Sequence, residues 1–290
     1  MTIQEFDAML SSGIVVLDGA TGSNLRKAGM PVGVSAELWN LEHPEVLTAL
    51  QRDYVEAGSQ IVYAPTFMCN REGLKHHGLE DRVEELNEKL VALSRAAVGG
   101  KALVAGDMTT TGRTLEPYGD MSYADLIDVY TEQARALIRA GVDLIGGETL
   151  LTLEEASAIV EAVRGADADM PMMCTLTIQS DGSLMYGGNV TEAIETLQAL
   201  GVNAVGLNCS VGPDQLEAAV RAMAKAADVP LIVKPNAGLP TMDRFGQAHY
   251  SMGPEEFARH MRALIDAGAR VVGGCCGTDP EYIARLKEIL

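Results

Sequence analysis

The chain of 290 residues lacks any apolar run long enough to cross a bilayer, and it has few basic residues. Lys and Arg number 22 against 40 Asp and Glu, which gives a formal net charge of −18. Most of the exterior would therefore repel a phosphate backbone or an anionic membrane surface, and we expect no nucleic acid and no membrane as a partner. The hydrophobic fraction of 47% is too high for a disordered chain, so the protein should bury a large core.

From its composition, we expect no signal peptide at the N-terminus. Residues 1–12 contain Glu5 and Asp7 but no Lys or Arg, and they lack the apolar stretch of a signal peptide. A cytoplasmic location is therefore expected by default. The five cysteines make a poor disulfide framework, because their number is odd and Cys275 and Cys276 are adjacent. Reduced thiols that take part in chemistry are the better interpretation.

No Pro/Ser-rich linker, charge block or low-complexity stretch divides the sequence. Short β-branched or apolar segments of strand length recur instead, at residues 14–18, 60–64, 102–107, 144–148, 172–177, 204–208, 231–235 and 271–274. Segments with helical spacing lie between them and close the chain, at residues 44–57, 80–98, 122–140, 152–164, 191–200, 213–226, 254–267 and 280–290.

This alternation predicts an α/β fold, a single (β/α)8 TIM barrel that occupies residues 1–290. Eight units average roughly 36 residues each, which suits a barrel with right-handed crossovers. Glycine follows several helical segments, as at Gly58 and Gly141, where a helix needs a left-handed terminal residue. A doubly wound open sheet is the alternative. Residues 18–23, after the first strand, read Asp-Gly-Ala-Thr-Gly-Ser, which is neither a dinucleotide fingerprint nor a P-loop.

Reactive side chains stand where the predicted strands end, and in a barrel these ends form the active-site face. The residues concerned are Asp18, Thr66, Asp107, Glu148, Thr177, Asn208, Cys209, Lys234, Asn236, Cys275 and Cys276. Three thiolates around Zn²⁺ leave one tetrahedral position free, which is the pattern of a catalytic site. Such a zinc is a weak Lewis acid toward water, but it can hold an incoming thiol as thiolate at neutral pH. The sequence therefore predicts that Cys209, Cys275 and Cys276 form a zinc site that activates a thiol.

Several of the cysteines and polar residues also have a purely structural interpretation. Cysteine is often buried as a small apolar group, and we interpret Cys69 and Cys174 in this way. Asp18 could cap the following helix, Glu148 could pair with a basic residue, and Asn236 could shape a turn. Glycines at 206, 273, 274 and 277 leave room around the three other cysteines for a ligand or a neighbouring backbone.

Several longer motifs add to this pattern. They read Leu-Asp-Gly-Ala-Thr-Gly at 17–22, Thr-Phe at 66–67, Asn-Arg at 70–71, Gly-Glu-Thr at 147–149, Gly-Leu-Asn-Cys at 206–209, Lys-Pro-Asn-Ala-Gly at 234–238 and Gly-Gly-Cys-Cys-Gly-Thr at 273–278. With these motifs the chain resembles the homocysteine S-methyltransferase family over essentially its whole length. In that family the Asn-Cys and Gly-Gly-Cys-Cys-Gly motifs supply three zinc ligands, so the resemblance also assigns zinc to Cys209, Cys275 and Cys276.

The resemblance further implies how homocysteine would be bound. Asp18 and Gly19 would meet its amino acid end, and Thr66 its carboxylate side. Glu148 would face its ammonium group. Asn236 matches a position that can take the fourth zinc site when substrate is absent. Together with the cysteines, these residues form the expected site of a methyl transfer that converts homocysteine to methionine.

Residues 37–41 and 54–58 look most like the homocysteine-binding module of cobalamin-dependent methionine synthase. The chain departs from the family's usual pattern at Ala64-Pro65, where Thr-Asn is common, and at Cys69, where a small residue is common. The resemblance implies methylcobalamin as the methyl donor. Because one barrel leaves no room for a corrinoid-binding module, we expect the donor to be carried by a separate corrinoid protein.

Other donors and functions stay open. S-methylmethionine or S-adenosylmethionine serves other single-barrel relatives. Betaine is disfavoured, because a quaternary ammonium needs an aromatic cage and the chain has only four Phe, eight Tyr and one Trp. A barrel aldolase with Lys234 as its Schiff-base amine is a second hypothesis, and a non-catalytic zinc-binding subunit is a third.

Overall fold

The computed structural model describes residues 1–243 and 248–290. Its strands are β1 (Val15–Val16), β2 (Ile61–Tyr63), β3 (Leu103–Met108), β4 (Leu144–Leu150), β5 (Met172–Leu176), β6 (Ala204–Asn208), β7 (Leu231–Lys234), β8 (Pro240–Met242), β9 (Ala248–Tyr250) and β10 (Ala269–Val272). Its helices are α1 (Ile3–Ser11), α2 (Gly22–Lys27), α3 (Ala36–Glu42), α4 (Pro44–Ala57), α5 (Arg71–Lys75), α6 (Val83–Val98), α7 (Tyr123–Ala140), α8 (Leu153–Ala166), α9 (Val190–Ala199), α10 (Glu217–Ala226), α11 (Pro254–Asp266) and α12 (Pro280–Glu288).

Eight strands form one parallel sheet in the order β1-β10-β7-β6-β5-β4-β3-β2. A parallel bridge between Leu17 and Ile61 brings β1 against β2 and nearly closes the sheet into a barrel. The helices surround this sheet, which confirms the predicted (β/α)8 TIM barrel and excludes the open doubly wound sheet. β8 and β9 form a separate antiparallel pair between β7 and α11 that the sequence did not predict.

Local signals set several helix boundaries. Pro44 occupies the first turn of α4, and Gly58 ends that helix with a left-handed φ of 112°. Ser122 caps α7 by accepting a hydrogen bond from the Asp125 backbone, and Gly141 ends it. The segments predicted at 80–98 and 213–226 each begin with a short 3₁₀ turn before the α-helix starts.

The interior of the barrel is closed at the end where the strands begin. Phe6 and Leu10 of α1 pack in one buried cluster with inward-facing strand residues such as Val15, Ile61 and Leu144. A larger buried cluster fills the layer between the strands and the outer helices. The opposite end, where the strands finish, is therefore left for the loops and their polar side chains. None of the described helices is long and apolar enough to span a membrane.

Candidate active site and metal centre

The three cysteines of the predicted zinc site meet at the ends of two strands. Cys209 follows β6, Cys275 and Cys276 follow β10, and β7 pairs with both of these strands. Their Sγ atoms lie within 4.8 Å of one another, and those of Cys209 and Cys276 are 3.5 Å apart. A tetrahedral ion with ~2.3 Å bonds to sulfur separates its ligands by roughly 3.8 Å. The arrangement thus suits one soft metal ion, and within the described residues no other His, Cys, Asp and Glu groups converge in this way.

The charges of these thiols depend on one another. Hydrogen bonds from Cys209 and Cys275 lower the pKa of Cys276 to about 3. Hydrogen bonding with Cys209 and Cys276 raises the pKa of Cys275 well above its usual value. One negative charge therefore opposes ionisation of its neighbours. A bound divalent cation would offset this repulsion, so the donor set fits a metal such as zinc.

The backbone at the end of β6 is strained. Cys209 has a φ of 48° and Thr149, at the end of β4, has a φ of 59°, although neither is glycine. The buried side chain of Asn208 holds both positions. Its Oδ1 accepts hydrogen bonds from the Thr149 backbone at 2.7 Å and from Thr175 Oγ1 at 2.9 Å, and its Nδ2 donates to Thr149 Oγ1 at 2.8 Å. Asn208 therefore fixes the direction in which Cys209 leaves the strand.

Two glycines near the cysteines allow neighbouring protein groups to pack closely against the backbone. A Cβ on Gly206 would lie 1.9 Å from the carbonyl oxygen of Ile232 on the neighbouring strand. A Cβ on Gly277 would lie 2.3 Å from the ring of Tyr250, which is the last residue of the unpredicted strand β9. The Tyr250 hydroxyl also hydrogen-bonds Cys276. The sequence left open whether the space beside these glycines is for a ligand or for a neighbouring part of the chain. At Gly206 and Gly277 a neighbouring protein group fills it.

A second group of charged side chains lies near the cysteines. It consists of the carboxylates of Asp18, Asp107 and Glu148, here called the carboxylate cluster, and the ammonium of Lys234. All four residues are buried, with at most 8% exposure. Lys234 Nζ lies 2.9 Å from Glu148 Oε2, 3.6 Å from Asp18 Oδ1 and 3.9 Å from the centre of the Tyr63 ring. Glu148 thus pairs with a basic residue, as its structural interpretation proposed.

Burial and charge shift the ionisation of this group. Burial raises the pKa of Asp18 to about 6 and that of Asp107 well above its usual value. Burial by itself lowers the pKa of Lys234. The negative charges of Glu148 and its neighbours have the opposite and larger effect, so the pKa of Lys234 lies well above its usual value. A protonated, ion-paired lysine is a poor nucleophile, which argues against the Schiff-base hypothesis.

One cavity joins the two groups. Its volume is about 420 Å³, and its wall includes most of the predicted site residues: Asp18, Gly19, Glu148, Cys209, Cys275 and Cys276. Asp107, Lys234 and Asn40, none of which was assigned to the zinc site or the homocysteine site, also line it. The sequence signal for Asp107 and Lys234 was their position at strand ends. Asn40 carried no such signal, because it comes from the short helix α3.

Two predicted site residues, Thr66 and Asn236, are not part of the cavity wall. The buried Thr66 hydroxyl accepts a hydrogen bond from the Asp107 N–H and donates one to the Asp107 carbonyl, each at 2.9 Å. It thus holds the backbone of β3. Asn236 Nδ2 donates to the carbonyl of Ser210 at 2.7 Å. Its Oδ1 is buried and has no hydrogen-bond partner, so this amide oxygen is free for a ligand.

Comparisons with known proteins agree with this geometry. The model of the homocysteine S-methyltransferase family matches residues 15–290. Methionine synthase of Mycobacterium tuberculosis (strain ATCC 25618 / H37Rv) is 33% identical over 295 residues, which cover 96% of this chain and 25% of that protein. Methionine synthase of Mycobacterium leprae (strain TN) is 32% identical, with 96% and 24% covered. The chain therefore spans about a quarter of the length of these relatives.

A solved structure is similar along its whole length. The metallated form of the homocysteine methyltransferase MmuM from Escherichia coli has a TM-score of 0.79 and 26% sequence identity to this chain. The match covers 98% of this chain and 99% of MmuM. The apo form of the same protein aligns with a TM-score of 0.75. The resemblance noted in the sequence thus extends to the three-dimensional structure.

Proposed function

The chain belongs to the homocysteine S-methyltransferase family, and from this premise we propose that it methylates homocysteine to methionine at a zinc centre. One observation carries the proposal. Cys209, Cys275 and Cys276 converge in the wall of a cavity that also contains the carboxylate cluster. A single cavity thus offers ligands for a soft metal and negative charge for an ammonium group, which are the two needs of an amino acid thiol.

Cys209, Cys275 and Cys276 would hold the zinc ion. The bound ion would supply the positive charge that keeps the homocysteine sulfur ionised at neutral pH. Asn208 contributes by fixing the strained backbone from which Cys209 projects. The free Oδ1 of Asn236 supports a role for this amide as the fourth ligand in the absence of substrate.

The opposite part of the cavity would hold the amino acid end of homocysteine. Asp18 and Glu148 would face its ammonium group, while Lys234 balances part of their charge. Gly19 provides space, because a Cβ there would lie 2.7 Å from Tyr54 Oη and from Thr278 Oγ1. Thr66 would support the site by holding the Asp107 backbone. With both ends bound, the sulfur is positioned to form the new bond to carbon while the donor keeps the bonding electron pair.

For the donor we propose a methylated corrinoid carried by a separate protein. The 33% identity with methionine synthase over nearly the whole chain supports this choice. A second candidate is a small-molecule donor, either S-methylmethionine or S-adenosylmethionine. The specific observation in its favour is that MmuM and this chain match over almost the full length of both proteins.

Turnover with a panel of donors tests the proposal. The purified protein, with its zinc quantified in the same preparation, is incubated with homocysteine and methylcobalamin, S-methylmethionine or S-adenosylmethionine, and methionine is measured. We expect about one zinc per chain and methionine from at least one donor. Zinc without methionine from any donor would instead support the non-catalytic subunit.

A pair of variants makes this test specific. Cys209→Ala should lose stoichiometric zinc and methionine formation together, because two thiolates hold zinc weakly. Cys174→Ala is the matched control, since Cys174 is a fully buried thiol within β5 and lies outside the cluster. It should keep both properties. Retention of zinc and activity in Cys209→Ala would overturn the assignment.

A further inference from the structure

We infer that Asp107 is a third acceptor for the ammonium group of the substrate, beside Asp18 and Glu148, and this inference rests on the proposed function. Asp107 lies near the end of β3, is 5% exposed and lines the shared cavity. Its Oδ1 is buried and has no hydrogen-bond partner, and the same is true of Asp18 Oδ1. Because a buried carboxylate oxygen without a hydrogen bond is costly, two of them on one cavity wall indicate a donor that the ligand brings, even though Lys234 Nζ lies 3.6 Å from that of Asp18.

The backbone around Asp107 is held firmly. The Thr66 hydroxyl bonds both its N–H and its carbonyl. The buried Gln133 Nε2 donates to the Thr66 carbonyl at 2.8 Å and to the Asp107 carbonyl at 3.3 Å. These bonds fix the position from which the carboxylate projects, as a binding residue requires.

The charges around Asp107 favour a cationic ligand. The carboxylate cluster carries up to three negative charges, and Lys234 supplies one positive charge. Lys234 Nζ hydrogen-bonds Glu148 at 2.9 Å, but its 3.6 Å distance from Asp18 Oδ1 is too long for a hydrogen bond. A primary ammonium would bring one positive charge and three N–H donors to the free oxygens of Asp18 and Asp107.

A metal ion is a less suitable occupant of the carboxylate cluster. Among the described side chains, the cysteines form the group whose ligand atoms converge, and the three carboxylates do not join it. The two groups nevertheless line the same cavity of about 420 Å³. One short molecule with a thiol and an ammonium group therefore matches the cavity.

Binding measurements on the zinc-loaded protein test this inference without turnover. Calorimetry gives the Kd of homocysteine and of 4-sulfanylbutanoate, which has the same thiol and carboxylate but no ammonium group. Asp107→Asn should weaken homocysteine binding by about 10- to 100-fold, because it removes a charged acceptor of the ammonium. Its effect on 4-sulfanylbutanoate should stay below about twofold.

Two further variants control for damage to the fold. Glu155→Gln removes another buried carboxylate, one that accepts a hydrogen bond from Thr110 and lies outside this cavity, so it should bind both ligands like the wild type. Asp107→Ala repeats the test with a different side chain, and thermal unfolding shows whether each variant is folded. The inference about Asp107 would be overturned if a folded Asp107→Asn bound homocysteine with wild-type affinity, or if its affinities for both ligands fell equally. Neither result would contradict the proposed function. If the wild type binds neither thiol, the proposed function fails as well.

Discussion

At the scale of single residues, the shape of the metal centre depends on one buried amide. Asn208 makes three short hydrogen bonds to Thr149 and Thr175, and its Nδ2 lies 3.9 Å from Cys275 Sγ. It also precedes Cys209, whose left-handed backbone is unusual for a residue with a side chain. The amide therefore links the ends of β4, β5 and β6 to Cys275, which follows β10.

Asn208→Ala should lower both stability and metal affinity. Loss of three buried hydrogen bonds should reduce the free energy of unfolding by about 2–4 kcal/mol, and loss of ligand orientation should weaken zinc binding about 10-fold or more. Urea unfolding and competition with a chelating dye measure the two effects. Asn203→Ala is a matched control, because Asn203 bonds the Met172 backbone and Asp7 just before β6 begins. Equal zinc affinities of the two variants would contradict the role of Asn208.

The pKa of Asp18 predicts how stability changes with pH. Burial raises this pKa from 3.8 to about 6, so the folded state holds the proton more tightly than the unfolded state. The Asp18 contribution to stability should therefore fall as pH rises from about 4 to about 7, by on the order of 3 kcal/mol. Asp18→Asn should lack this fall, which urea unfolding at each pH would show relative to the wild type. An identical pH dependence of both proteins would contradict the assignment.

Most of the site residues predicted from the sequence line the cavity, but the sequence did not predict the direction of every side chain. Position at a strand end was enough to select Asp18, Glu148 and the cysteines, because parallel strands in a barrel finish on one face. It also selected Thr66, whose hydroxyl bonds the backbone of Asp107. Which side chain faces the cavity depends on hydrogen bonds between strands, and a pattern along one strand does not contain them.

At the scale of secondary structure elements, the site depends on the close approach of β6 and β7. Gly206 in β6 has Ile232 of β7 as its neighbour, and a Cβ would lie 1.9 Å from the Ile232 carbonyl oxygen. Cys209 and Lys234 lie at or just beyond the ends of these two strands. The absence of a side chain at Gly206 is therefore required for their spacing.

Gly206→Ala should destabilise the protein by about 3 kcal/mol or more, because the backbone of β7 would have to move. Gly165→Ala is the matched control. Gly165 is an exposed residue in α8 with open space around its Cβ position, so alanine there should be neutral or stabilising by up to about 1 kcal/mol. Chemical denaturation of both variants gives the comparison, and a near-neutral Gly206→Ala would disprove the proposed constraint.

Element prediction succeeded where local signals were strong. The helix predicted at 44–57 matches α4, which has proline in its first turn and a left-handed glycine at its end. The helices α1, α2, α3 and α5 were missed, since each has nine residues or fewer and their packing against the barrel contributes to their stability. β8 and β9 have three residues each and are largely exposed, so they lack the apolar pattern of a buried strand.

At the scale of the whole molecule, the metal centre and the hydrophobic core that stabilises the fold lie in different places. The cysteines lie at the strand ends, whereas the large buried clusters lie between strands and helices and at the other end of the barrel. A barrel with such a core does not need a metal to fold, unlike a small zinc finger.

Removal of zinc should therefore lower stability without unfolding the barrel. Treatment with a strong chelator should reduce the Tm by about 10 °C, because the metal stabilises only the folded state, while the far-ultraviolet circular dichroism at 25 °C stays unchanged. Circular dichroism with a thermal ramp measures both quantities. Loss of the helical signal on chelation would show that the metal is required for folding.

X-ray absorption at the zinc edge, with and without homocysteine, tests whether this metal centre binds the substrate thiol. We expect three sulfur neighbours from Cys209, Cys275 and Cys276 in the free protein and one additional sulfur neighbour when homocysteine is bound. A sulfur count that does not change on addition of saturating homocysteine would contradict the claim that this centre binds the substrate thiol.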